Sequence, residues 1–531
     1  MTQMVISSPA VQSVTRAQWL AIFGGLLGGF MAILDIQVTN ASMKVIQGAL
    51  SATLNDSSWL MTSYFTAEIV AIPLCGWLTK AFGTGRYALW CIGLFMIASL
   101  LCSMSWSLDS MIIFRSLQGF SGGALIPISF RLIIELLPPK KRPIGMAMFS
   151  VVATFAPAIG PALGGFLTAN FSWHAIFYIN LIPGMIALFL ISQGIPKESA
   201  RWSIIRNGDF LGVVFVTLFL GTLEVILERG GDDGWLKSNL ICWLSVISII
   251  SFIMFLYDQV KYPYPLINLN LFRDYLFSYS LLMFSMLGTA IYGTLFLVPY
   301  YLTMVHNYNA SQIGEVIIWM GFPQLFILPF IPKLINHINL KYMIFIGFLG
   351  LSISAFMDSH MSIHFAGEQM KWSLIVRALG QPFIMVPLSM ISTLNIKKED
   401  NASSAIIINV FRSLGGSFGT AILITFFITF IHLHVANIKD AMHPGTELFN
   451  HYIHQVHSLL QSDYYSPGSA SLTDTSLSIL YVRIKQQAEI MAFNDLFTIM
   501  GCMMFGAAIL ILFSDRNFKF YKSQAKGEQD E

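Results

Sequence analysis

Seven ionisable side chains stand inside otherwise apolar runs: Asp35, Glu68, Arg115, Arg131, Glu224, Arg377 and Arg412. At a bilayer centre each such charge costs about 3 kcal/mol or more, so it must pair with an opposite charge or line a watery path. A carboxylate and a guanidinium held together in a low dielectric are suited to holding, passing or exchanging a proton or a cation. Asp35 stands out because it ends an uncharged stretch from Ala17 to Leu34, within "FMAILDIQVTN". Glu68 in "SYFTAEIV" and Glu224 in "GTLEVILERG" either line a cavity or pair with a neighbour.

Covalent chemistry finds no comparable support, and an enzyme is not expected. "GGSFG" (Gly415–Gly419) fits G-x-S-x-G, but it lies in an apolar run with no strand before it, so it reads as helix packing. No GxxxxGK[ST] stretch points to an ATP-driven pump. Cys75, Cys91, Cys102, Cys242 and Cys502 lie in apolar runs without C-x-x-C spacing, as small packing residues do. His451, His454 and His457 recur every three residues in "HYIHQVHSLL", which places them on the solvated face of a short amphipathic helix. Neither a cofactor nor a metal is expected.

The elements that must hold these groups follow from the composition. Of 531 residues, 55% are hydrophobic and only 11% charged, with a mean hydropathy of +0.67. Soluble domains carry about 25% charged residues, so this chain needs a bilayer as part of its solvent. A net charge of +2 gives no reason to expect nucleic acid. Apolar runs of spanning length fall near 17–38, 58–79, 87–105, 110–134, 144–167, 175–194 and 209–228. They continue near 238–257, 277–302, 312–332, 342–358, 372–394, 404–431 and 489–513. The start lacks a clear small-residue cleavage site, so the first run is expected to remain as a span.

Fourteen spans put both ends of the chain on one side. With that side inside, only Lys44, Arg229, Lys237, Lys371, Lys439, Arg483 and Lys485 fall in outside loops, against nineteen of the 30 basic residues inside. That is the asymmetry of the positive-inside rule, and a missed helix would have inverted it downstream. At about 1.5 Å per residue Asp35 lies roughly 28 Å along from Arg16 and roughly 13 Å before Lys44. It is therefore expected in the outer part of its span, facing a cavity and not lipid. The polar stretch 433–488 is expected as a long outside loop, with "SPGSASLTDTS" (Ser466–Ser476) flexible.

Glycine and proline motifs surround the charged positions. "APAIGPALGGFL" (Ala156–Leu167) places Gly160 and Gly164 on one helix face, where another backbone can approach closely, while Pro157 and Pro161 each remove a helix hydrogen bond. "GWLTKAFGTGRYAL" (Gly76–Leu89) forms a short basic loop, and "FRSLQGFSGGALIP" (Phe114–Pro127) carries Arg115. "LPPKKRPIGMAMFS", "WHAIFYINLIPG", "LERGGDDGW", "VPYYL" and "FRSLGGSFGTA" follow in order. On these motifs the chain resembles the major facilitator superfamily, and within it the fourteen-span drug:proton antiporters of the EmrB/QacA type. "FRSLQG" and "VRALGQ" (Val376–Gln381) give a trace of internal repetition. Leu34, Asp35 and Asn40 match the first-span pattern of that family, whereas Gln37 and Lys44 replace a threonine and a proline. Lys80 stands where many relatives carry an acid that helps lock the outward-facing state.

The resemblance implies an all-α polytopic membrane protein with fourteen helices, two six-helix bundles and two inserted helices. Its parts would be the first bundle (1–194), the inserted pair with linkers (195–275), the second bundle with the outer loop (276–515, loop 433–488) and a cytoplasmic tail (516–531). It implies a proton-coupled antiporter in the inner membrane, both termini cytoplasmic, exporting hydrophobic or amphipathic small molecules by alternating access. Asp35 would carry the proton, and Arg115 would supply the opposing charge. Gly76, Gly83 and Arg86 would belong to the gating loop, and Gly160, Pro161, Gly164 and Gly165 to the antiporter motif. Asn40, Gln118, Glu224 and Tyr292 are the candidates for substrate contact. The outer loop is compatible with docking a periplasmic membrane-fusion adaptor and, through it, an outer-membrane channel. Two other readings stay open: a dedicated exporter of one endogenous metabolite on the same fold, and a transporter-like sensor or scaffold. The E-x-x-E-R pattern of peptide:proton symporters is missing from the first span.

Overall fold

The computed structural model describes residues 14–138, 141–195, 201–206, 208–263, 265–397, 400–443, 446–462 and 472–513. Among them every regular element is a helix, and fourteen are long and apolar enough to cross a membrane. Backbone polar groups inside a bilayer must be satisfied within the segment, which leaves the helix as the economical choice for each run. Spans one to six are Arg16–Ala41, Trp59–Phe82, Thr84–Ser103, Leu108–Leu136, Arg142–Asn170 and Ala175–Gly194. Spans seven and eight are Phe210–Arg229 and Asn239–Lys261. Spans nine to twelve are Tyr275–His306, Ala310–Ile335, Leu340–His360 and Gly367–Ile391. Spans thirteen and fourteen belong to the helices Asn401–Ala441 and Leu472–Phe513.

Local sequence sets the ends of several spans. Thr15, Ser107 and Asn309 close capping boxes at the starts of spans one, four and ten. Spans two and three are joined by Gly83 alone, at φ 85°, a left-handed conformation that a side chain would strain.

The first six spans pack on one another and so do the last six. Two seams join the halves. Along one, span five packs on span ten; along the other, span two meets span thirteen. The glycines of "APAIGPALGGFL" serve two partners. A Cβ on Gly160 would come within 2.4 Å of Gln37 Cβ in span one, and one on Gly165 within 2.7 Å of the Ser311 backbone nitrogen in span ten. Near the face that carries the chain ends, Gly76 of span two lies against the side chain of Ile406 in span thirteen.

Span seven bridges the second seam. It packs on spans two, eight and thirteen. Arg229 at its end contacts Ser58 just before span two, while Trp235 in the following turn donates to Thr425 of span thirteen at 3.0 Å.

The expected loop over 433–488 is largely helical in its described residues. The thirteenth helix runs 41 residues and the fourteenth 42, where about 20 suffice to cross a bilayer. A further helix, Glu447–Ser462, packs on the fourteenth and carries His451, His454 and His457. Ser466–Ser476 was expected to be flexible; Leu472–Ser476 instead opens the long helix, and 466–471 lie outside the described residues, as does the tail 516–531.

Candidate functional site

Asp35 does not face a cavity. It is 1% exposed in the interior of the first bundle, where spans four and six reach its carboxylate and spans two and three back those partners. Arg115 Nη1 of span four is 2.5 Å from Oδ2, and both side chains are fully buried. Oδ1 accepts from Gln118 Nε2 at 2.9 Å and from Asn180 Nδ2 of span six at 2.7 Å. Ser99 Oγ of span three accepts from the same two amides, at 2.8 and 3.2 Å. The guanidinium of Arg115 lies over the Tyr64 ring of span two, 4.2 Å from its centroid, while its Nε and Nη2 have no hydrogen-bond partner. The acid is thus fully coordinated and the arginine only partly, a pair whose separation would strand a buried charge.

Sequence reasoning named Asp35 and Arg115 but missed Ser99 and Asn180, whose only signal is polarity within apolar runs. It also placed Gln118 among the substrate contacts. Gln118 is instead wholly buried, giving its amide hydrogens to Asp35 and Ser99 and accepting from Arg115 at 2.8 Å. A side chain engaged on both ends has nothing left for a ligand.

One residue further along span one the environment changes. Ile36, Gln37 and Asn40 line a cavity of about 340 Å³ between the halves, at the face where span one ends and span two begins. Span two supplies Met61, Phe65 and Glu68 to its wall, and span nine supplies Tyr292, Leu295 and Phe296. Ser413, Ser417 and Thr420 come from span thirteen, and Glu224, Leu227 and Glu228 from span seven. Asn40, Glu224 and Tyr292, named from the sequence as candidate substrate contacts, all line this cavity. Glu224 Oε1 accepts from Ser417 Oγ at 2.7 Å, so it both lines the cavity and ties span seven to span thirteen. Glu68 and Tyr64 are four residues apart on span two, so one helix turn separates the cavity wall from the ring beneath Arg115.

The remaining positions act at seams or ends. Gly415 and Gly419 of "GGSFG" press on Ser285 and Thr289 of span nine, the helix-packing role expected for them. Arg131 pairs with Glu135 at 2.6 Å and contacts Thr79. Gly164 faces the backbone of span one at Val38, and Pro161 is buried between Gly160 and that contact. Arg86 is exposed at the start of span three. Lys80 is exposed too, and it lines a separate cleft with Asp209 and Asp400 near the face of the chain ends.

Known proteins are similar to this chain in sequence and in fold. A family model described as Major Facilitator Superfamily matches residues 25–420. The chain is 33% identical to the colistin resistance protein EmrB of Acinetobacter baumannii, over 95% of its own length and 98% of that protein. It is 30% identical to the multidrug export protein EmrB of Haemophilus influenzae, over 93% of its length and 94% of the relative. Its fold is similar to that of the human organic anion transporter MFSD10, with a TM-score of 0.55 at 12% identity, covering 92% of this chain and 99% of that one.

Proposed function

Because the chain belongs to the major facilitator superfamily, in its EmrB-type branch, we propose that it is a multidrug efflux transporter of the inner membrane that exchanges protons for hydrophobic or amphipathic small molecules. The observation that carries this reading is the cavity at the seam of the halves with the Asp35–Arg115 pair one residue behind its wall. Both termini are cytoplasmic in this reading, so the cavity faces outward and the Gly76–Ile406 contact closes the inner side. Residues 1–194 and 276–515 are then the rocking halves, with spans seven and eight inserted between them.

Asp35 is the proton carrier. Protonation removes the charge that holds Arg115, and loss of one partner of a buried pair is an event of about 3–5 kcal/mol. Proton re-entry through 100 mV supplies about 2.3 kcal/mol, and each unit of pH difference about 1.4. The two magnitudes match, so one proton suffices to pull spans one and four into a different register. Ile36 and Gln37 carry that shift to the bound molecule, because they share a helix with Asp35 and touch the cavity. The helices beyond the membrane, including Glu447–Ser462, are the surface for a periplasmic membrane-fusion adaptor that leads to an outer-membrane channel.

The test is dye transport by everted vesicles containing the full chain. Uptake of a panel of lipophilic dyes is expected to follow an imposed pH gradient, to collapse with a protonophore and to ignore ATP depletion. Dye movement that survives collapse of the gradient would overturn the reading.

A further inference from the structure

On its inner side the second seam closes where Gly76 of span two meets Ile406 of span thirteen. These two spans cross the membrane in opposite directions, so that contact fixes which residues share a level nearer the cavity. Glu68 stands eight residues before Gly76, and Arg412 six residues after Ile406. At about 1.5 Å per residue they lie roughly 12 Å and 9 Å from the contact. An acid of the first half and a base of the second therefore share one level, between the cavity and the closed inner seam.

Both side chains are buried, each at 5% exposure, and Glu68 Oε2 and Arg412 Nε have no hydrogen-bond partner. Arg412 Nη2 donates to Asn409 of its own helix at 3.2 Å. Its guanidinium crosses the seam to lie 5.9 Å from the centre of the Phe149 ring in span five. One amide oxygen and one aromatic face leave most of a buried cation's charge unbalanced. The cations whose field reaches Glu68 are Arg412 first and Arg115 second. Arg115 belongs to the same half as Glu68 and holds Asp35 at 2.5 Å, so its pull does not cross the seam. Tyr64, Glu224 and Tyr292, which also interact with Glu68, bring no positive charge. At the surface below, Lys80 and Asp400 line the cleft beside the same two spans, where solvent makes a pair weak.

We propose that Glu68 and Arg412 form a charge latch across the second seam, which holds the inner ends of spans two and thirteen together while the cavity is open to the outside. No hydrogen bond or ion pair joins the two among the described residues, so the attraction acts through the low dielectric and resists separation without fusing the halves. Glu68 also lines the cavity, so neutralising it from that side loosens the inner seam. The inference rests on the reading of two rocking halves and goes beyond it in naming what keeps the inner side shut.

The test is the reactivity of Ile406→Cys toward a membrane-impermeant maleimide, in everted vesicles carrying the full chain with its five native cysteines replaced by alanine. Labelling is expected to be slow in this parent and about tenfold or more faster with either Glu68→Gln or Arg412→Gln. The double variant should stay within about twofold of the faster single, because the two changes remove one interaction. Glu68→Asp, which keeps the charge, should label as slowly as the parent. Retaining Cys102, which is wholly buried in the first bundle, monitors folding, since it stays unlabelled in an intact chain. Should Glu68→Gln expose Cys102, Glu68→Asp decides alone, and fast labelling of Ile406→Cys in that variant overturns the latch. Slow labelling in both glutamine variants, or rate increases that multiply in the double, also overturns it. Dye transport by the same vesicles separates the two readings. Coupling of Glu68 to Arg412 without transport of any dye removes export and leaves the latch, whereas transport with independent effects removes the latch alone.

Discussion

Arg115 in span four and Arg377 in span twelve are the second residues of matching stretches, "FRSLQG" and "VRALGQ", and both are buried. Arg115 meets a carboxylate at 2.5 Å. Arg377 meets neutral oxygens, Ser354 Oγ at 3.1 Å and the Ala290 carbonyl at 3.2 Å. The buried acid on that side, Asp358, accepts instead from Ser373 at 2.8 Å and leaves Oδ1 without a partner. One motif on two similar scaffolds thus gives a charge pair in the first half and a polar anchor in the second. A charge pair can be switched by one proton, whereas an anchor made of neutral oxygens has no such handle.

The comparison breaks most directly at the acids. Asp35→Asn is expected to reduce proton-driven dye transport by about a hundredfold or more, since it strands Arg115 in a buried site. Asp358→Asn, removing an acid with no arginine at contact distance, should stay within about tenfold. Equal losses in the two variants would show that both halves titrate. The next effect concerns stability. Arg115→Met is expected to destabilise the detergent-solubilised protein by about 3–5 kcal/mol, and Asp35→Asn added to it should restore much of the melting temperature without restoring transport. Arg377→Met should cost about 1–3 kcal/mol, because only hydrogen bonds to neutral groups are lost. A full transport rescue by the double change at Asp35 and Arg115 would remove the switch from that pair.

Smaller effects separate packing within a half from packing between halves. A Cβ on Gly415 would lie 2.3 Å from the Ser285 carbonyl oxygen inside the second half, and one on Gly165 would press on span ten across the seam. Gly415→Ala is expected to lower stability by about 1–3 kcal/mol, read as a fall in melting temperature. Gly165→Ala should change the cross-linking between spans five and ten more than it changes melting. The smallest effect is expected at Lys80. It shares a cleft with Asp400 at the surface, and exposed pairs contribute about 0–1 kcal/mol, so Lys80→Ala should alter transport by less than about fivefold.

Much of this fold was legible because the bilayer imposes a length on every crossing segment. The runs near 17–38 and 175–194 became Arg16–Ala41 and Ala175–Gly194 with shifts of three residues or fewer. The same rule failed over 433–488, where no apolar run is long enough to signal a span. Helix there is maintained by packing, as between Glu447–Ser462 and the fourteenth helix, and by His434 with Asp495 at 2.7 Å between the two long helices. In the site, charge in an apolar run was a strong signal and found Asp35, Arg115 and Glu224. Neutral polarity was a weak one, so Asn180 and Ser99 went unnoticed and Gln118 was given to the ligand. Glu228 and Asp232 entered only as letters of the motif "LERGGDDGW"; the four-residue spacing from Glu224 that puts Glu228 on the same face was visible but carried no weight without a cavity to face.

The length of the thirteenth helix has a mechanical side. Forty-one residues make a rod of about 60 Å, roughly twice the hydrocarbon thickness, with no described break between Ile406 at the inner seam and Ala441. A lever of that kind converts angle into travel. Pivoting near the membrane centre by about ten degrees, an arm of about 30 Å moves its tip by about 5 Å. Whatever rests on the far end of this helix therefore receives, as a displacement outside the membrane, a running record of which way the second half is tilted.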